Sequence, residues 1–177
     1  MSRLKANLVS VYVLRAGAAG LELLTLQRAE QSRFPGAWQV VHGHVEPGEA
    51  AWQAASRELR EETGLPALRW FRCLHLETFY NPENDTVYVV PVFVVETTPD
   101  ARCQISAEHQ ACAWRSLDEA RSLFLWATQR QSIDAVIEAT HRWPQPGPGL
   151  QPIDLPALER AWADQHGELS PPEGWDA

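Results

Sequence analysis

The segment RELREETGL (residues 57–65) decides the fold of this chain, because it combines a helical composition with an unusual cluster of acids. Its glutamates Glu58, Glu61 and Glu62 have the spacing i, i+3 and i+4. At 100° per residue, a helix places all of them within an arc of roughly 100°. Like charges on one helix face repel one another, so this face is either a solvated surface or a place where a cation belongs.

The sequence around this segment predicts a helix over residues 49–63. The stretch is rich in Ala, Glu and Arg, and Gly64 and Pro66 provide a stop directly after it. Leu59 and Trp52 fall to one side and are expected to face the core. Three small residues lie on or beside the acidic arc and are expected to leave room there: Ala51, Ala54 and Ala55.

Strands are predicted on both sides of this helix. Two apolar runs (residues 7–17 and 21–28) and a short strand (residues 38–41) precede it. Two long runs (residues 69–80 and 86–97) follow it, are joined by the turn NPEND, and are expected to pair antiparallel. Pro91 in the second long run predicts an edge position or a bulge.

The last part of the chain predicts one more short strand, at residues 111–115, and two helices. The first helix is expected to start at Ser116, with Glu119 at the spacing of a capping box. The second covers residues 128–143 and is amphipathic. Strands mixed with one early and two late helices indicate an α/β sandwich with a mixed β-sheet.

Composition narrows the class of protein. The chain has 177 residues, 45% of them hydrophobic, and a formal net charge of −8. This charge argues against binding to a nucleic-acid polymer, which requires a basic surface. Its three cysteines form no CxxC pair, and we expect them to be reduced thiols. No apolar run approaches the roughly 18 residues of a membrane span, so we expect a cytoplasmic protein without a membrane partner.

The C-terminal part differs in composition from the rest. Seven of the 13 prolines fall in residues 144–177. We therefore expect a domain over residues 1–143 and a proline-rich extension over residues 144–177, in which residues 155–166 could form a short docking helix. The extension could cover an edge strand, mediate contacts in a homodimer, or extend away from the domain.

The acidic segment is part of a longer pattern. Gly43 is followed by Glu49 and then by Arg57 and the three glutamates, with Gly64 and Leu65 at the end. This spacing matches G-x5-E-x7-R-E-U-x-E-E-x-G-U, with U aliphatic, at every fixed position. The chain therefore resembles the Nudix hydrolase family over about residues 5–142. The resemblance implies a Nudix-type α/β/α sandwich.

The resemblance implies a hydrolase that attacks a nucleoside phosphate with water and needs one to three Mg²⁺ or Mn²⁺ ions. Oxygen ligands suit these ions, which counter the charge of linked phosphates. At the matching positions the metal ligands are Glu58, Glu61, Glu62 and the backbone carbonyl of Gly43.

The catalytic set implied by the resemblance is Glu61, Glu62, Glu108 and Arg57. Arg57 and Glu49 are expected to pair, since a guanidinium can hold a carboxylate with two parallel hydrogen bonds. The general base is Glu108, in the loop six residues before Trp114, or else Glu61. Glu61 and Glu62 are expected to be exposed without metal.

Substrate contacts are assigned to four residues: Arg28, Trp38, His42 and Tyr80. The stretch WQVVHGHVEPGE is similar to that of dATP and dihydroneopterin triphosphate pyrophosphatases, which are MutT-like enzymes. A nucleoside triphosphate, cleaved to monophosphate and pyrophosphate, is therefore the first expectation. Dinucleoside polyphosphates, ADP-ribose and nucleotide sugars stay open as alternatives, as does a non-catalytic domain that only binds a nucleotide.

Overall fold

A mixed nine-stranded β-sheet forms the body of the chain in the computed structural model, which describes residues 1–166. The strands are β1 Arg3–Lys5, β2 Leu8–Gly17, β3 Gly20–Arg28, β4 Trp38–Gln39, β5 Val41–His44, β6 Arg69–Asn81, β7 Thr86–Glu96, β8 His109–Ser116 and β9 Leu150–Ile153. The helices are α1 Ala51–Thr63, α2 Leu117–Leu123, α3 Ala127–Thr140 and α4 Leu155–His166. The predicted α/β sandwich with a mixed sheet is confirmed.

Strand β2 lies inside the sheet and organises both layers of the core. It pairs antiparallel with β3 and β5 and parallel with β7. Its valines at alternate positions pack with Ala54, Ala55 and Leu59 of α1. On the opposite face, Tyr12 and Leu14 pack with residues of α2 and α3. A strand buried on both faces explains the nearly continuous apolar run in the sequence.

Pro91 lies beside a bulge, which was one of its two predicted settings. The register of β6 on β7 shifts between Arg72 and Leu76, which pair with Phe93 and Pro91. The edge position was wrong, because β7 lies between β2 and β6. An interrupted ladder tolerates a residue that has no backbone N–H to donate.

Helix α1 begins at Ala51, slightly later than predicted, and ends as expected. The side chain of Gln53 accepts the backbone N–H of Ala50 at 2.8 Å, and Gly64 adopts the left-handed conformation with φ 64°. Leu59 is buried as predicted, but Ala54 and Ala55 are fully buried too. The small residues therefore let the helix pack closely on the sheet, rather than leaving space beside the acids.

The proline-rich extension adds to the sheet. Residues 150–153 form β9, which pairs antiparallel with residues 70–73 of β6 and covers that edge. Helix α4 occupies the predicted range 155–166, and none of its residues is buried. Residues 167–177 of the predicted extension lie outside the described residues. Within residues 1–166, no helix is both long and apolar enough to cross a membrane.

Candidate active site

The pairing of β5 with β2 and the start of α1 place the acidic cluster. Gly43 in β5 pairs with Val9 of β2, and the side chain of Glu58 in α1 lies directly over Gly43. A Cβ atom on Gly43 would fall on the Cδ and Oε1 atoms of Glu58. Glycine is therefore required here by the close approach of a carboxylate, not by an unusual backbone conformation.

Arg57 connects the acids to one another. Its Nε and Nη2 atoms donate to the two oxygens of Glu49, each at 3.0 Å, which confirms the predicted pairing. Its Nη1 atom donates to Glu58 at 2.9 Å and to Glu61 at 3.1 Å. Its Nη2 also donates to the carbonyl of His44 at 2.8 Å, which ties the helix to the end of β5.

This arrangement shows how the like charges are accommodated in the chain itself. The guanidinium of Arg57 lies between the carboxylates of Glu58 and Glu61, so a cation does stand at this face. Among residues 1–166, no three Asp, Glu, His or Cys side chains are already gathered as a metal site. A divalent ion would therefore compete with Arg57 for Glu58 and Glu61.

Glu61 and Glu62 were both expected to be exposed. The side chain of Glu61 is 51% exposed, but the expectation is wrong for Glu62, whose relative exposure is 3%. Its Oε2 atom has no hydrogen-bond partner and lies 3.9 Å from Nε2 of His109. Burial, with the charges of Glu58 and Glu108, raises the pKa of Glu62 to about 9. A buried, unpaired carboxylate oxygen is a group that a hard cation would satisfy.

Glu108 is brought to α1 by the main chain of its loop. The N–H of Gln104 donates to the carbonyl of Thr63 at 2.8 Å, and that of Ser106 to the carbonyl of Glu62 at 3.3 Å. The side chain of Glu108 is exposed, and its charge contributes to the raised pKa of Glu62. The structure therefore groups Glu108 with the acids of the helix.

His109, which sequence reasoning passed over as part of a loop, is the first residue of β8 and is 5% exposed. Its Nε2 atom lies 3.2 Å from the amide nitrogen of Gln39, which can donate to it. Burial lowers the pKa of His109. This side chain therefore forms part of the wall next to Glu62.

The four predicted substrate residues have different neighbours. Arg28 donates to Gln39 at 3.1 Å, and its positive charge acts on both Glu62 and His42. Trp38 has the guanidinium of Arg115 over its ring at 4.7 Å. The hydroxyl of Tyr80 donates to Asp85 at 3.0 Å, in the turn after β6. Arg28 and His42 thus act on the acids, and Trp38 lies in β4 beside Gln39, the partner of Arg28, whereas Tyr80 contacts the turn after β6.

His42 joins a buried polar chain that sequence reasoning missed. Its Nδ1 atom lies 3.1 Å from Oγ of Ser10, which donates to Glu77 at 3.0 Å. Tyr12 donates to the other oxygen of Glu77 at 3.0 Å. Burial lowers the pKa of His42 to about 4. The available signal was Ser10 and Tyr12 on one face of an otherwise apolar strand.

The comparisons with known proteins match the part of the chain that contains the acidic cluster. The family model described as NUDIX domain matches residues 5–136. The asymmetrical bis(5'-nucleosyl)-tetraphosphatase of Sus scrofa is 33% identical over 128 residues, covering 70% of this chain and 80% of that protein.

Two solved structures are similar in fold. A Caenorhabditis elegans Ap4A hydrolase binary complex has a TM-score of 0.61 at 27% identity, covering 73% of this chain and 93% of that one. The Escherichia coli dihydroneopterin triphosphate pyrophosphohydrolase has a TM-score of 0.55 at 26% identity, covering 73% and 96%.

Proposed function

The chain belongs to the Nudix family, and on that premise we propose that it is a Mg²⁺-dependent hydrolase that cleaves a phosphoanhydride bond of a nucleoside polyphosphate. One observation carries the proposal. The carboxylate of Glu58 lies over Gly43, and beside it Glu62 keeps an unpaired oxygen although it is buried. A stable fold has little reason to bury an unpaired carboxylate, whereas a cation site does.

Mg²⁺ fits these residues by their chemistry, with Mn²⁺ as the alternative. Glu58, Glu61, Glu62 and the carbonyl of Gly43 supply the oxygen ligands that hard divalent cations prefer. They would hold one to three ions. When bound, the metal would neutralise charge on the linked phosphates and polarise the bond that breaks.

Arg57 has an orienting role in this proposal. Its two hydrogen bonds to Glu49 fix the guanidinium, and the bond to His44 fixes the distance between α1 and β5. Glu58 and Gly43 are thereby held together before any ligand arrives. Because Glu58 already lies over Gly43, only the contacts of Arg57 Nη1 with Glu58 and Glu61 would have to give way when a metal binds.

The general base is Glu108 or Glu61. Glu61 accepts a hydrogen bond from Arg57 at 3.1 Å, so its carboxylate is already engaged in the metal-free chain. Glu108 is exposed on a loop fastened to the end of α1, so its carboxylate can approach a water molecule beside the acids. We assign proton removal from the attacking water to Glu108, and assign Glu61 to the metal.

The similarity supports two substrates to different degrees. The Sus scrofa relative, whose name gives a dinucleoside tetraphosphate, is similar over most of both chains and favours that substrate. The Escherichia coli structure, whose name gives a pterin triphosphate, agrees with the nucleoside triphosphate that the segment before α1 favours. We therefore propose a dinucleoside tetraphosphate first and a nucleoside triphosphate second.

Product analysis tests the proposal. The purified chain is incubated with diadenosine tetraphosphate, dATP, ADP-ribose and a nucleotide sugar, with Mg²⁺ or with EDTA, and the products are separated by ion exchange. We expect ATP and AMP from diadenosine tetraphosphate in Mg²⁺ only. Pyrophosphate release from dATP alone would move the assignment to the triphosphate. Nucleotide binding without any turnover would contradict the proposal and support a non-catalytic domain.

A further inference from the structure

A chain of hydrogen bonds links His42 to the interior of the sheet. Ser10 and His42 are direct cross-strand partners in β2 and β5. Ser10 is fully buried, and so is Tyr12, while Glu77 is 2% exposed. His42 at the end of this chain is partly exposed, and it precedes Gly43, over which Glu58 lies. The chain therefore runs from the core to the edge of the site.

The direction of the two bonds that Ser10 makes follows once Glu77 is ionised. Burial raises the pKa of Glu77, but the hydroxyls of Ser10 and Tyr12 each lie 3.0 Å from one of its oxygens and stabilise the ionised form, which only accepts hydrogen bonds; Tyr12 has the carbonyl of Gln129 as a second acceptor at 3.2 Å. The hydroxyl of Ser10 has one proton and gives it to Glu77. Its oxygen can then only accept from Nδ1 of His42, 3.1 Å away. A neutral imidazole has one N–H, so Nε2 is left with a lone pair.

We propose that Ser10 and Glu77 are positioning residues that hold His42 in its Nδ1–H tautomer, so that Nε2 accepts a hydrogen bond from a hydroxyl or N–H group of the bound nucleotide. The ligand part of this inference rests on the proposed function; the tautomer does not. Ionised phosphate oxygens only accept hydrogen bonds, so Nε2 does not bind them. His42 therefore contacts the sugar or the base.

Arg28 supports this division of roles. Its guanidinium is near enough to His42 for its charge to act on the ring, and it offers only donors. A donor and an acceptor thus both lie close enough to the acids to act in one site. Phosphate suits Arg28, and a group that donates suits His42. A nucleotide carries both kinds of group close together.

The tautomer can be measured directly in the free protein. The imidazole nitrogens of all six histidines are observed by ¹⁵N-detected two-dimensional NMR at pH 7.5, and His42 is assigned by its loss in His42→Asn. We expect the proton of His42 on Nδ1. A proton on Nε2 of His42 in the wild-type protein would overturn the proposal, whatever the enzyme assays show.

Three variants test what holds the tautomer. Ser10→Ala removes the acceptor for Nδ1–H, and Glu77→Gln places an amide donor against Ser10, so that the hydroxyl proton turns to His42. Both should move the proton to Nε2. Tyr12→Phe is the matched control: it removes a hydrogen bond to the same carboxylate but leaves the link to His42 intact. The other five histidines report whether each variant is folded. An unchanged tautomer in both test variants would refute the roles of Ser10 and Glu77.

Ligands distinguish the sugar from the base. With Mg²⁺ present, pyrophosphate should leave the Nε2 resonance of His42 unchanged. Ribose 5-phosphate shifts it if a sugar hydroxyl is the donor, whereas a shift with AMP only identifies the base. The ligand assignment fails if pyrophosphate shifts Nε2, or if AMP does not shift it at a concentration that moves the backbone amide of Gly43.

Kinetics provide an independent readout. With the best substrate from the product analysis, Ser10→Ala and Glu77→Gln should raise KM about tenfold and change kcat less than about threefold, as for loss of one hydrogen bond made equally in the ground and transition states. Tyr12→Phe should keep both values near wild type. An equal KM in all four proteins would contradict the proposal, while absence of turnover in the wild type would instead contradict the proposed function.

Discussion

At the scale of single residues, the site depends on how closely Glu58 approaches Gly43. Gly43→Ala would place a methyl group where the carboxylate of Glu58 now lies. Glu58 would therefore be displaced from its place beside Glu62. Because a shift of about 1 Å in a catalytic group can cost on the order of a hundredfold in rate, we expect kcat/KM to fall by about that factor. Steady-state kinetics with saturating Mg²⁺ measure the effect.

Gly17→Ala is a suitable control for this substitution. A Cβ atom there would also meet a glutamate side chain, that of Glu22, at 2.5 Å, but at the end of β2 in the turn to β3. Glu22 pairs with Arg15 and is not part of the site, so activity should stay near wild type even if stability falls. Equal losses in the two variants would mean that Gly43 matters for folding rather than for the position of Glu58.

The buried Glu62 makes stability depend on pH when no metal is bound. The unfolded chain releases this proton near pH 4.5, whereas the folded chain keeps it up to about pH 9. Between these values the folded state binds more protons, so the free energy of unfolding falls as pH rises, by up to about 1.4 kcal/mol per pH unit. Urea unfolding in EDTA at pH 6, 7 and 8 should show this loss in the wild type.

Glu62→Gln should remove most of this dependence, because an amide does not titrate. Relative to the wild type, we expect the variant to gain about 2.7 kcal/mol between pH 6 and pH 8. Glu61→Gln, at an exposed position, should keep the wild-type slope and acts as the control. Parallel pH profiles for all three proteins would show that Glu62 is ionised in the folded, metal-free chain.

At the scale of helices and strands, the sequence predicted the features that depend only on residues close together in the chain. The stop of α1 at Gly64 and the capping of α2 by Ser116 followed from single residues. Apolar alternation located the long strands. Burial of Ala54 and Glu62 could not be predicted from α1 alone, because the arc they occupy depends on how the helix rests on β2 and β5.

The buried chain from Tyr12 to His42 was missed for a related reason. Ser10 and Glu77 are 67 residues apart in sequence and meet only because β6 and β2 are both neighbours of β7. Periodicity shows which face a residue lies on, but not which distant residue faces it. Arg57 and Glu49 were paired correctly because they are only eight residues apart, with Glu49 just before α1 and Arg57 within it.

Strand β9 leads to a prediction about the extension. A chain ending at residue 143 would leave the edge of β6 unpaired and remove Leu150, which is 3% exposed. We expect it to lose about 3 kcal/mol of stability or more, and to aggregate more readily. A chain ending at residue 154 keeps β9 and should lose much less, since α4 buries no residue. Urea unfolding of both should separate the strand from the helix, and equal stabilities would contradict a structural role for β9.

At the scale of the whole molecule, the negative net charge of the protein makes a bound metal ion necessary for the substrate to approach, as well as for the reaction itself. The chain has a formal net charge of −8, and a polyphosphate is strongly negative. The two repel at long range unless a cation is bound to one of them. The reaction should therefore depend on the metal in both affinity and rate.

Binding of Mg²⁺ should stabilise the folded chain as a whole. At about a hundred times the dissociation constant, one ion adds roughly 2.7 kcal/mol, which corresponds to a rise in Tm of several degrees for a chain of this size. Differential scanning calorimetry with increasing MgCl₂ measures it, with NaCl matching the ionic strength. Glu61→Gln should weaken this rise, whereas the exposed Glu46→Gln should not. The same rise in Glu61→Gln as in the wild type would place the ion elsewhere.

The parallel pairing of β2 with β7 has a consequence for biosynthesis. Ser10 is the partner of Val92, so β2 must wait for most of the domain to be translated before its neighbour β7 exists. At the usual rate of elongation this interval is on the order of ten seconds. During that time β2 can pair with β3 and β5 but lacks β7 on its other side, and nascent-chain chaperones are expected to bind this unpaired apolar segment.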